Sequence, residues 1–221
     1  MLGNMSVQYR VIVFSMLPIL SFVCILILAL NELKDTGQGV NRIYTDTVVP
    51  LKDLKVVADD YAVRVIDAIN KANTGLLTAE ETDGVIVSAQ SEAFQRWQQY
   101  MATTLTEEET KLAREASELF LIANSAIEIA HNKIKSKAGN IAGELNELDG
   151  ALYASIDPIS NKITELINLK LQVAKVERDL IIGEYGYYLA ILMYLATGII
   201  AILILLCIVF IEHNWRPSAY S

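Results

Sequence analysis

The chain has 221 residues, a formal net charge of −8, and 53% hydrophobic against 20% charged residues. So acidic a chain, with no basic stripe, excludes nucleic acid as a partner, because phosphate is repelled. Two cysteines (Cys24, Cys207) and two histidines (His131, His213) are too few for a disulfide framework or a Cys/His metal centre, and no cofactor is implied.

Residues 1–10 precede a run, 11–30 (VIVFSMLPILSFVCILILAL), that carries no charge. A helix of about 20 apolar residues spans the hydrocarbon core, so 11–30 reads as a first transmembrane helix. It is longer than a signal-peptide apolar region and no A-x-A site closes it, so an uncleaved anchor is expected. Asn31-Glu32-Leu33-Lys34 continues the helix, and Pro18 predicts a kink.

Four further helices are predicted at about 40–73, 79–101, 107–150 and 158–186. The first carries Leu51, Leu54, Ala58, Tyr61, Val65, Ala68 and Ala72 at heptad spacing, and Gly75 stops it. Pro50 and the Gly37-Gln38-Gly39 segment predict a bend or a new start. Thr78 with Glu81, and Thr106 with Glu109, are capping boxes that open the second and third helices. The second has Ile86, Ala89, Ala93, Trp97 and Tyr100 on one face. The third reads Leu112, Ala116, Leu119, Ala123, Ala126 and Ala130, then Ile141, Leu145 and Leu148. Asp157-Pro158 looks like an N-cap with proline at N1, opening a fourth stripe of Ile159, Ile163, Leu166, Val173, Val176 and Leu180. Strand-like alternation is absent and the connections are short, so the fold class is all-α: an antiparallel four-helix bundle between two transmembrane helices.

The last helix leads past Gly183 and Gly186 into 187–211, which is again free of charge. Arg10 and Arg216 flank the two spans, which places the 1–10 segment and the 212–221 tail in the cytoplasm and residues 31–186 outside it. Tyr185, Tyr187, Tyr188 and Tyr194 at the outer end, with Trp215 at the inner end, make an aromatic belt. Membrane lipid is thus one partner. The thin, alanine-rich seams suggest another, a second copy of the chain or a different membrane protein.

The segment 48–78, VVPLKDLKVVADDYAVRVIDAINKANTGLLT, together with this layout, resembles the N-terminal sensory half of bacterial methyl-accepting chemotaxis proteins. The most specific stretch runs from Val49 to Lys71, and the likeness covers residues 1–211. It implies an inner-membrane sensor whose periplasmic bundle detects a small molecule or a protein and signals through its fourth helix and second span. Such receptors continue into a cytoplasmic transmitter, whereas this sequence ends in EHNWRPSAYS, so a sensor without its own transmitter is expected. The alternative is an accessory subunit that docks onto a partner membrane complex and stabilises or regulates it without sensing a ligand.

Asp60, Arg64, Asp67 and Lys71 form a charged row at spacings of 4, 3 and 4. One reading is a solvated ladder of ion pairs. The resemblance implies another, since receptors for amino acids and small carboxylates grip them with arginines of the first helix and polar groups of the fourth. On that reading Arg64 is the ligand contact, with Tyr61, Asp60 and Asp67 beside it and Asn161, Thr164 and Asn168 opposite. The flanking acids weaken Arg64 as an anion trap and leave an amine, a protein or no ligand open. Phe94, Trp97 and Tyr100 form either an aromatic pocket or plain core, and His131 reads as structural. No nucleophile–base pair or phosphate loop occurs, so an enzyme is not expected.

Overall fold

The computed structural model describes residues 7–214, in which helices and turns are accompanied by one isolated bridge between Thr78 and Asn140. Trp215, Arg216 and parts of the 1–10 and 212–221 flanks lie outside the described residues. The chain divides into two compact units, Met1–Asn41 with Arg178–Ser221 and the bundle unit Arg42–Glu177.

Helix α1 (Val7–Ile43) and helix α6 (Asp149–Asn214) each contribute an apolar stretch long enough to cross a membrane, and their apolar side chains there are exposed. Exposed rows of Leu, Ile and Phe on two helices are what a lipid-facing surface requires and what water penalises. Gly37 and Gly39 do not loosen α1, which continues through both. Gly39 is a packing position instead: a β-carbon there would stand 2.9 Å from Ile181 Cδ1.

In the bundle unit the first helical path is α2 (Val49–Asp59) and α3 (Ile66–Asn73), preceded and separated by π-helical stretches Tyr44–Val48 and Asp60–Val65. Pro50 lies in the first turn of α2 and has no N–H to donate, so the change expected there takes the form of a wider turn immediately before it. Leu54, Tyr61, Val65, Ala68 and Ala72 are buried, and Val57, Ile66 and Ile69 join them. The π stretch inserts extra rotation, which broadens the buried face beyond a strict heptad stripe.

Helix α4 (Ala79–Met101) and helix α5 (Glu107–Lys135) both begin with complete capping boxes, Thr78 with Glu81 and Thr106 with Glu109. The whole predicted face of α4 is buried. On α5 the buried apolar row is Ala113, Ala116, Phe120, Ala123, Ile127, Ala130 and Ile134, one step round from the expected row but sharing Ala116, Ala123 and Ala130 with it.

Two helix boundaries differ from the sequence reading. Helix α5 ends at Lys135, not at 150, because Gly139 (φ +66°) and Gly143 (φ +77°) adopt left-handed conformations that no helix continues. Ile141, Leu145 and Leu148 are buried from this looped cap rather than from a helix. Asn73 holds the loop: its carbonyl accepts from the Gly143 N–H at 2.8 Å and its Oδ1 accepts from the Leu145 N–H at 2.9 Å. Helix α6 begins at Asp149 rather than 158, so Pro158 is interior and Asp157 is no N-cap. An interior proline costs about 3 kcal/mol. Leu152 and Ile156, both buried ahead of it, return about 1.5–3 kcal/mol each, which carries the helix across the break. The buried row of α6 is Leu152, Ile156, Ile159, Ile163, Leu166 and Lys170, after which Val176 and Leu180 are exposed.

Candidate functional site

The charged row divides in the structure. Arg64 Nη1 donates to Asp60 Oδ1 at 2.6 Å and to Glu92 Oε2 at 2.8 Å, and its Nη2 donates to Ser88 Oγ at 3.0 Å. Glu92 also faces Arg96 at 3.8 Å, and Arg96 pairs with the buried Asp53 at 3.1 Å. Alternating charges therefore stitch the first helical path to α4, and Arg64 is engaged by two carboxylates. Burial pushes the Asp60 carboxyl upward while the Arg64 hydrogen bond opposes it; the same bond raises the Arg64 guanidinium. Asp67 is not part of this network and pairs with Lys71 at 2.7 Å.

Asn161, Thr164 and Asn168 do not meet Arg64. They are exposed on the side of α6 away from its buried row, and the Thr164 hydroxyl donates to the Ser160 carbonyl at 2.8 Å. Among the described residues no hydrogen bond joins them to the charged row. His131 pairs with Asp83 and so fastens α5 to α4.

Tyr61 leads elsewhere. It is buried, its hydroxyl donates to Asn124 Oδ1 at 2.7 Å, and burial raises its pKa to about 12, so the phenol is neutral. Its ring lies 5.2 Å from Phe120, Phe120 meets Trp97 edge-on at 4.9 Å, and Trp97 meets Tyr100 at 5.4 Å. Such tilted pairs contribute about 0.5–1.5 kcal/mol each beyond the area they bury. Three of these rings, Tyr61, Phe120 and Trp97, line a cleft of about 590 Å³ between α4 and α5, together with Gln90, Ser91, Ala93, Phe94, Gln98, Ser117, Leu121 and Asn124. Trp97 is thus both core and cleft wall, Tyr100 is core alone, and Phe94 is 65% exposed at the rim opposite Leu121 at 70%. Ligand pockets commonly occupy about 300–1,000 Å³, with apolar walls and a few polar groups, and this cleft has that character.

Phe120, Asn124 and Gln90 were missed at the sequence level. The signal was present: 113-116-120-123-127-130-134 on α5 is spaced as regularly as the row chosen, and it places Phe120 inside.

Lys170 of α6 and Glu109 of α5 form a buried ion pair at 3.0 Å. Glu109 Oε2 also accepts from the Thr106 N–H at 2.8 Å, so one carboxylate caps α5 and holds α6. The Tyr100 hydroxyl is buried and has no hydrogen-bond partner among the described residues. Desolvation, with the Glu109 charge second, pushes its pKa up.

Residues 4–180 match the family described as a four-helix-bundle sensory module for signal transduction. The chain is 25% identical over 195 residues to the methyl-accepting chemotaxis protein NahY of Pseudomonas putida, covering 88% of this chain. It spans 36%, about a third, of that relative's length. No solved structure matches. An all-α bundle between two membrane-length apolar stretches, with the family signature over most of its length, leads to one assignment: this chain belongs to the four-helix-bundle sensory modules of chemoreceptor type.

Proposed function

We infer that the chain is a membrane-anchored sensor of the bacterial inner membrane. The bundle unit Arg42–Glu177 projects into the periplasm, the apolar stretches 11–30 and 187–211 cross the bilayer, and both termini are cytoplasmic. Arg10 and Arg216 beside the spans support that orientation, as do the tyrosines at the outer end of the second. A small molecule or a protein binds the bundle and displaces α6. The displacement reaches the cytoplasmic side, where a transmitter, attached or supplied by a partner protein, reads it. The bundle acts as a homodimer or within a hetero-complex. Recognition rather than catalysis is its task.

One observation carries this reading. Helix α6 begins as a core helix, with six buried side chains from Leu152 to Lys170, and runs as a single element to Asn214 through 25 uncharged residues. A shift of its early turns has no loop in which to be absorbed. Tyr61 lines the α4–α5 cleft, which supports a part in binding, whereas Arg64 is engaged in ion pairs with Asp60 and Glu92.

Paired cysteines at Gly39 and Ile181, in a Cys24→Ser/Cys207→Ser background, test the displacement in cells. Disulfide formation between them is expected to change rate when a bound ligand is supplied from a pool of periplasmic solutes. An unchanged rate for every pool, with the chain recovered from mild detergent in a fixed-stoichiometry complex, would replace the sensor with the accessory-subunit reading.

A further inference from the structure

The first helical path of the bundle is not a uniform α-helix. Between α2 and α3 the six residues Asp60–Val65 are π-helical, with hydrogen bonds that reach back five residues instead of four. Such wide turns are rare and occur mostly as single turns at functional sites. A stretch of this kind persists where its surroundings hold it, so its contacts show what it depends on.

Two of its side chains brace it against other helices. Arg64 bonds Glu92 at 2.8 Å and Ser88 at 3.0 Å, both on α4. Tyr61 donates to Asn124 Oδ1 on α5 at 2.7 Å, and among the described residues this is the one hydrogen bond from the stretch to α5. Two features lower the cost of breaking it. Gln90 Nε2 already stands 3.4 Å from the same oxygen, so a second donor is in place if the phenol leaves. Asp60 Oδ2 is buried without a hydrogen-bond partner among the described residues, so the closed arrangement leaves an acceptor unsatisfied. Tyr61, Gln90 and Asn124 all line the α4–α5 cleft, and whatever fills the cleft acts on this bond.

Resting on the sensory reading above, we propose that Asp60–Val65 is a hinge in the first helical path and that the Tyr61–Asn124 bond is its latch. With the latch closed, Tyr61 is held in the cleft wall and the wide turn is fixed against α5. With it open, Asn124 Oδ1 passes to Gln90, the phenol leaves the wall, and the path flexes at the wide turn. The contents of the cleft thereby set the flexibility of the first helical path, a second response beside the displacement of α6.

Backbone amide hydrogen exchange, read by mass spectrometry on the full chain in nanodiscs with no ligand added, tests the device. Amides of 61–66 are expected to exchange at least about tenfold faster than those of 54–59 and 68–73 on the same path. Tyr61→Phe keeps the ring and removes the latch, and it should speed exchange over 61–66 about fivefold further while the flanks stay unchanged. Val63 is exposed, and deleting it takes one residue out of the wide turn, so that α2 and α3 join as one α-helix. Exchange across the junction should then fall to the level of the flanks. Equal protection of 61–66 and its flanks in the parent chain would overturn the hinge, and an unchanged rate in Tyr61→Phe would overturn the latch. A Val63 deletion that does not fold, or that keeps fast exchange at the junction, would also overturn the hinge. No ligand enters the measurement, so each of these failures leaves the sensory reading to the cysteine-pair experiment.

Discussion

Removing one partner of the Lys170–Glu109 pair exposes how the bundle holds the helix that leads to the membrane. Lys170 is 3% exposed and Glu109 is fully buried, with Nζ 3.0 Å from Oε1. Lys170→Met keeps an unbranched side chain one atom shorter and removes the charge, which leaves the carboxylate buried without its cation and held by the Thr106 N–H alone. Breaking a buried pair in this way costs about 3–5 kcal/mol, against less than about 1 kcal/mol for an exposed pair. At about 2.1 cal/mol/K of unfolding entropy per residue, the Arg42–Glu177 unit has about 0.3 kcal/mol/K, so its Tm should fall by about 10–17 °C. The assay is thermal unfolding of the full chain in detergent, followed by the helical circular dichroism signal. The double variant Glu109→Gln/Lys170→Met removes both charges and keeps an oxygen for the Thr106 N–H, so it should recover most of the loss. A single-variant loss below about 1 kcal/mol, or a double variant no better than the single, refutes the buried-latch reasoning.

Three further outcomes follow from the same geometry. Tyr100→Phe deletes a buried hydroxyl that has no hydrogen-bond partner among the described residues, so thermal unfolding should show no loss of stability and a gain of up to about 1 kcal/mol. Thr78→Ala removes the acceptor of the Glu81 N–H at the start of α4 and should cost about 1 kcal/mol in the same measurement. The acid limb of the stability curve has two opposed contributions. Glu115 is held below its ordinary 4.5 by the Lys162 hydrogen bond and Glu147 by that of Lys133, so both contribute stability above 4.5 that is lost as pH falls through their folded-state values. Asp60, raised above 3.8 by burial, contributes the reverse, a cost relieved on acidification. Tm measured from about pH 6 to 3 should therefore fall less steeply in Glu147→Gln and more steeply in Asp60→Asn.

How much of this was legible in the sequence depended on whether a local rule decided the matter. Both capping boxes act through a hydroxyl and a carboxylate three residues apart, so Thr78 and Thr106 marked their helix starts without tertiary help. The buried face of α4 was equally plain, because Ile86, Ala89, Ala93, Trp97 and Tyr100 follow the helical period without a break. Asp157-Pro158 misled because its local preference for a helix start was outweighed by packing of Leu152 and Ile156 upstream, which a propensity argument does not see. The 141–148 segment misled in the opposite sense. Its apolar spacing is helical, yet Gly139 and Gly143 take left-handed conformations and the residues are buried from turns. Of the two acids expected to flank Arg64, Asp60 pairs with it and Asp67 pairs with Lys71 instead; Glu92 and Ser88, which do meet it, are distant in sequence, and no spacing rule brings them to it. The cleft was hidden for the same reason: Tyr61, Trp97 and Phe120 converge from three helical segments.

A sensor of this kind must hold its bundle outside the inner membrane and the segments beyond its two apolar stretches inside it. A Ser125→Cys variant in the Cys24→Ser/Cys207→Ser background places one thiol at an exposed position of α5 for a membrane-impermeant maleimide. Labelling in intact cells with a permeabilised outer membrane is the predicted result; labelling only after the inner membrane is broken would contradict it.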